Sequence, residues 1–112
     1  MKNIDRLLAF FEAENQRDWD TYQTFLAEQV VWELQSDSLE VICGKADYLA
    51  RIQMAYRNNP VQFQCSHYHL SPDQHQIVTI LKNNLGDLSC DIFYFEDGLI
   101  VREREYVLKK AD

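Results

Sequence analysis

Asp91 interrupts a strongly apolar stretch. It sits between Cys90 and Ile92 in a segment, Leu88 to Phe95, whose other positions are largely apolar on both faces of an extended strand. A carboxyl in apolar surroundings has a raised pKa, which suits proton transfer near neutral pH. Asp91 is therefore a candidate general acid/base. The plainer alternative is a carboxylate at a sheet margin, paired with Arg102 or Arg104 across the next hairpin. Glu103 and Glu105 share one face of the last strand, with Arg102 and Arg104 on the other. Glu105 is the second candidate acid, ahead of Glu103. The competing reading of that alternation is a solvated strand pairing with its neighbours.

Cys65, His67 and His69 alternate along another extended segment, and His75 follows after a turn. Cys65 and His69 are about 13 Å apart at ~3.3 Å per residue, too far to share an ion without bending. No fourth ligand is suitably spaced, so no metal site and no cofactor is expected. His67 is instead a candidate polar group in a ligand pocket. No G-x-S-x-G, no phosphate-cradling glycine loop and no dinucleotide fingerprint is present.

Composition bounds the rest. The 112 residues suit one domain, 1–112, and a chain that is 46% hydrophobic and 12% aromatic can build its own core. With 18 acidic against 11 basic residues the net charge is −7. No basic stripe is present, so nucleic acid and anionic membrane are not expected partners. Cys43, Cys65 and Cys90 are an odd, scattered set, which reads as reduced thiols. The N-terminus becomes charged too early for a signal peptide, and no run is long enough for a membrane span. A cytoplasmic setting is the expectation.

The elements that must position these residues follow from periodicity. Ile4, Leu7, Leu8 and Phe11 mark one face of a first helix, leaving Asp5, Arg6, Glu12 and Glu14 on or near its wet side. Asp18 is an N-cap for a second helix carrying Trp19, Tyr22, Phe25 and Leu26. Val30 to Leu34 reads as a strand, Leu39 to Ile42 as a short one. Tyr48, Leu49, Ile52, Ala55 and Tyr56 mark a third helix, closed before Pro60. Strands follow at Val61 to Leu70, Gln76 to Asn83, Leu88 to Phe95 and Leu99 to Leu108, with hairpin signals at Ser71-Pro72-Asp73-Gln74 and Glu96-Asp97-Gly98. The later strands are apolar on both faces. Three helices can cover one face; a second copy of the chain is the natural cover for the other, which predicts a homodimer through the sheet.

This order resembles the nuclear transport factor 2-like superfamily, especially its SnoaL-like branch. The likeness rests on Arg17-Asp18-Trp19-Asp20 between two helices, Leu26-Ala27-Glu28-Gln29-Val30-Val31-Trp32-Glu33, Gly44-Lys45-Ala46 before the third helix, and the hairpin from Phe93 to Tyr106. The resemblance implies an α+β fold: a cone-like, curved antiparallel sheet of about five to six strands wrapped over three N-terminal and mid-chain helices. Such a cone encloses a pocket for a small apolar or amphipathic molecule. In the family's ketosteroid isomerase pattern only the late-strand acid is matched, by Asp91; Phe10 and Leu34 stand where a tyrosine and a base would be. In its epoxide hydrolase pattern Glu105 resembles the last-strand acid, while Leu81 and Asn83 fall near the Arg and Asp positions. Neither residue set is complete. The resemblance makes Trp32, Leu34, Tyr56, Phe63, His67 and Phe93 candidate pocket residues, with Asp91 and Glu105 as acids. The rival reading is a non-catalytic dimerisation or regulatory module whose pocket is plugged by Trp32, Phe63 and Phe93. Cavity volume separates the two, since ligand sites run to roughly 300–1,000 Å³.

Overall fold

The first apolar stripe forms α1 (Asn3–Gln16) in this computed structural model, which describes residues 1–111. α1 buries Leu7, Phe10, Phe11 and Ala13 and stops at Arg17, whose backbone turns left-handed at φ 58°. Asp18 then caps α2 (Trp19–Gln23) by accepting from the Thr21 amide at 3.2 Å. α2 is shorter than its apolar stripe suggests. Leu26, expected on that helix, instead opens β1 (Leu26–Gln35), because it is buried on the sheet.

The remaining elements are β2 (Leu39–Cys43), α3 (Lys45–Ala55), β3 (Phe63–Leu70), β4 (Gln76–Asn83), β5 (Leu88–Glu96) and β6 (Leu99–Lys109). Together the strands form one mixed, curved, unclosed sheet in the order β2-β1-β6-β5-β4-β3. The fold is the expected α+β cone. Every strand pairing is antiparallel except β1 with β6, where the chain returns parallel to its first strand. The β1–β6 register shifts between Leu26 and Val31, and such bulges bend a sheet.

Register places the side chains in rows. One inward row runs Thr79, Asp91, Glu105, Leu34; the next runs Ile77, Phe93, Glu103, Trp32, Ile42. The helices seal this concave side through aromatic contacts. Phe10 and Phe11 meet the Phe93 ring edge-on at 6.1 and 5.5 Å, and Phe11 meets Phe63 at 5.3 Å. The opposite face carries Val78, Ile80, Cys90, Ile92 and Tyr94, all half-buried.

The bulge between Cys65 and His67 has a consequence for β3. It puts Cys65 opposite Leu81 on the inner side but His67 opposite Ile80 on the outer side. The simple alternation expected of Cys65, His67 and His69 is thereby broken. Among the described residues no helix is long and apolar enough to cross a membrane.

Candidate functional site

A cavity of about 510 Å³ opens between the helices and the inner face of the sheet. Each element contributes by its own periodicity. From α1 come Phe11 and Glu14, from α2 Tyr22, and from α3 Tyr48 and Ile52, with Tyr56 four residues on at its C-cap. The sheet supplies Trp32 and Leu34 from β1, Phe93 and Asp91 from β5, and Glu103 and Glu105 from β6.

Arg17 clamps the corner where these helices meet. Its guanidinium lies 3.9 Å over the Tyr56 ring and donates to the carbonyls of Asn59 and Val61 at 2.7 and 2.6 Å. Tyr56 is thus held with its hydroxyl donating to Glu14. Asn15 fastens α1 to the edge strand, giving and receiving backbone hydrogen bonds at Phe63 at 2.9 and 3.0 Å.

Three carboxyls meet on the sheet. Asp91, Glu103 and Glu105 each place an oxygen within 4.8 Å of the others. Asp91 is 2% exposed and Glu103 5%. Asp91 accepts from the Ser89 hydroxyl at 2.6 Å, and Thr79 donates to its backbone carbonyl at 2.8 Å. Glu103 accepts from Tyr48, whose own hydroxyl receives one from Tyr22 at 3.5 Å.

Burial dominates the electrostatics. It pushes Asp91 up to about 6, against hydrogen bonding from Glu103, Ser89 and Glu105 that favours the carboxylate. Burial also holds Glu103 and Glu105 well above the usual carboxylate range, reinforced by the negative charge of Asp91. Glu14 rises to about 7, mainly through burial, with the Tyr56 hydrogen bond opposing. The arrangement fits an ionised Asp91 beside protonated glutamic acids, a cluster able to exchange protons near neutral pH. The three oxygens lie close enough to reach one cation, but burial favours the protonated forms and works against that use.

The arginines expected as alternative partners of Asp91 point away. Arg102 and Arg104 both bind Glu33 on the outer face, at 2.9 and 2.7 Å.

Of the residues singled out in the sequence, Asp91, Glu105, Trp32, Leu34, Tyr56, Phe63 and Phe93 all line the cavity. His67 does not; the bulge turns it to the outer face, where it is exposed. Glu14, expected on or near the wet side of α1, faces the cavity instead. The signal was present, because Leu7, Phe11 and Glu14 follow an i, i+4, i+7 stripe. Tyr22 and Tyr48 read as core aromatics and are buried, yet their hydroxyls serve the site.

No family model matches the chain, and no curated protein is similar enough to serve as a relative. Solved structures do match in shape. One, from Kribbella flavida and provisionally assigned as a ketosteroid isomerase, has a TM-score of 0.84 at 23% identity, covering 98% of this chain and 80% of its own. A Mycobacterium tuberculosis protein in complex with estradiol-17beta-hemisuccinate superimposes at 0.79 and 19% identity, covering 95% of this chain and 94% of its own. A SnoaL-like protein of unknown function from Burkholderia thailandensis gives 0.77 at 16% identity, covering 89% and 88%. The chain has the nuclear transport factor 2-like fold. At these identities the likeness fixes the cone and leaves its chemistry to the side chains, since one fold hosts many activities. In this nuclear transport factor 2-like cone the acids stand on β5 and β6, and β1 contributes Trp32 and Leu34.

Proposed function

We propose that the chain binds a small, largely apolar molecule in the cone and moves a proton on it, with Asp91 as base and Glu105 as neighbouring acid. The observation that carries the reading is the convergence of Asp91, Glu103 and Glu105 on a cavity otherwise walled by aromatic and aliphatic side chains. Its volume, about 510 Å³, falls in the range of small-molecule sites, roughly 300–1,000 Å³. The rival, a module plugged by its own aromatics, would need Trp32, Phe63 and Phe93 to fill that space; they line it instead. Asp91, pushed up to about 6, is largely ionised at pH 7 and remains a competent base. Glu103, anchored by Tyr48, shares the charge that arises when Asp91 loses or gains its proton.

Native mass spectrometry of protein purified from its own host should reveal a co-purified apolar ligand. Incubated in heavy water, that ligand should take up solvent deuterium, and Asp91→Asn should slow the uptake by about 10²-fold or more. Uptake unchanged in Asp91→Asn would remove the acid/base part. A ligand-free cavity that binds no apolar probe would remove the whole.

A homodimer through the outer sheet face belongs to the same proposal. It is supported by the half-buried apolar set Val78, Ile80, Ile92 and Tyr94 and by the Glu33–Arg102–Arg104 cluster beside it, acid and base together on one surface. Sedimentation should give a dimer that Ile80→Glu with Ile92→Glu splits; a wild-type monomer would refute it. A cytoplasmic setting is supported by the free thiols of Cys43, Cys65 and Cys90.

A further inference from the structure

Glu14 is a cavity acid still without a task. Asp91, Glu103 and Glu105 stand together on the sheet wall, whereas Glu14 lines the cavity from α1, on the helix wall. A molecule held between helices and sheet therefore has Asp91 on one side and Glu14 on the other. Glu14 is half-buried, and its place in the lining puts it within reach of that molecule.

The carboxyl is held in one orientation. Tyr56, at the C-cap of α3, donates its hydroxyl to Glu14 Oε2. Arg17 keeps Tyr56 from swinging away, lying 3.9 Å over its ring while fixed to the carbonyls of Asn59 and Val61. With Oε2 accepting from Tyr56, the proton of neutral Glu14 belongs on Oε1, the oxygen left for a ligand. The titratable and charged groups around Glu14 are Arg17 on its own helix, Tyr22 on α2, Tyr56 on α3, Asp91 on β5 and Glu105 on β6. Burial, the largest influence, and the Asp91 charge raise it to about 7, while Tyr56, Tyr22 and Arg17 pull the other way. Asp91 is held lower, at about 6. Between these values Asp91 is mostly ionised and Glu14 mostly protonated, the pairing of states that a base and an acid need.

Resting on the ligand-binding reading above, we propose that Glu14 is a second catalytic acid, giving its Oε1 proton to a departing oxygen of the ligand while Asp91 takes a C–H proton from the opposite side. The reaction class is an elimination. The C–H electron pair becomes the new π bond, and the bond to oxygen breaks with its pair left on oxygen. Glu14 supplies the proton that turns this oxygen into a hydroxyl. Solvent then carries a proton from Asp91 back to Glu14, so no oxidant or reductant is consumed. Glu103 and Glu105 stand beside the base rather than across from it.

The test uses 1,2-benzisoxazole and its 5-nitro derivative, flat apolar carbon acids whose C3–H and ring oxygen lie on opposite sides of the ring. Loss of the C3 proton breaks the N–O bond and yields a nitrile and a phenol, followed by absorbance. The unsubstituted compound releases the more basic oxygen and needs the acid more. Glu14→Gln, whose amide oxygen still accepts from Tyr56, should therefore lower kcat/KM for it about tenfold more than for the nitro compound. A purely structural role would lower both alike. In the wild type, kcat/KM for 1,2-benzisoxazole should rise through about pH 6 and fall through about pH 7. Glu14→Gln should abolish the falling limb. Tyr56→Phe should move it to higher pH, because it removes a hydrogen bond that favours ionised Glu14. Equal losses on the two compounds, a falling limb that survives Glu14→Gln, or one that Tyr56→Phe leaves in place would overturn the inference. Elimination unchanged in Asp91→Asn, or absent with both compounds, would instead overturn the acid/base reading, and the inference with it.

Discussion

Arg102, Glu103, Arg104 and Glu105 are consecutive on β6, yet they occupy two electrostatic settings. Outward, Arg102 and Arg104 share Glu33 in part-exposed ion pairs at 2.9 and 2.7 Å. Inward, Glu103 and Glu105 face Asp91, and burial together with the Asp91 charge holds both well above the usual carboxylate range, offset only in part at Glu105 by Trp32 and Arg51. The difference teaches that strand alternation decides which face a charge occupies, but the cover over that face decides its protonation. Water screens the outer cluster and weakens it. On the inner face Asp91 and Glu103 are buried, which makes that cluster sensitive to pH.

The contrast can be broken from the inside first. Phe93→Ala should cost about 3–5 kcal/mol in denaturant unfolding, because Phe93 is 1% exposed and packs against Phe10 and Phe11 beside Glu103. A cost below that of a surface substitution would mean the inner face is not a packed core.

The next effect is on pH. The folded state keeps protons on Asp91 and Glu14 that an unfolded chain has already released. Stability should therefore be full below about pH 4 for these groups and fall as pH rises through about 6 for Asp91 and about 7 for Glu14. Asp91 alone would contribute roughly 3 kcal/mol to that loss if it titrated independently. Thermal unfolding at pH 5 and pH 8 checks the sign, and Glu103→Gln should flatten the slope by removing one obligatory proton. Stability that rises over this interval would place the acids in water.

Tyr48→Phe is smaller. It leaves Glu103 and the Tyr22 hydroxyl without their shared partner, and about 1–3 kcal/mol should be lost on unfolding. The smallest effect belongs to the outer cluster. Arg104→Ala should leave the unfolding midpoint almost unchanged, and the small difference should shrink further in high salt.

Much of this was legible in the sequence. Element order was legible from periodicity, the cone followed from the family resemblance that this order carries, and an acid between Cys90 and Ile92 pointed to Asp91. Three features escaped for identifiable reasons. Glu14 lies on the buried stripe of α1 but is a charged type, and its burial depends on Tyr56 arriving from α3. His67 was placed on the wrong face because a bulge after Cys65 inserts one residue, and alternation cannot register an insertion that long-range pairing imposes. The parallel β1–β6 pairing, which sets Trp32 beside Glu103, joins strands far apart in sequence and leaves no local signal.

The most direct measurement is infrared difference spectroscopy of the carboxyl C=O stretch at pH 7, comparing wild type with Glu103→Gln and Glu105→Gln. At least one protonated-carboxyl band should be present in the wild type and should shift or vanish in these variants. A spectrum with every carboxyl ionised at pH 7 would contradict a water-excluded acid cluster on the inner face of β5 and β6.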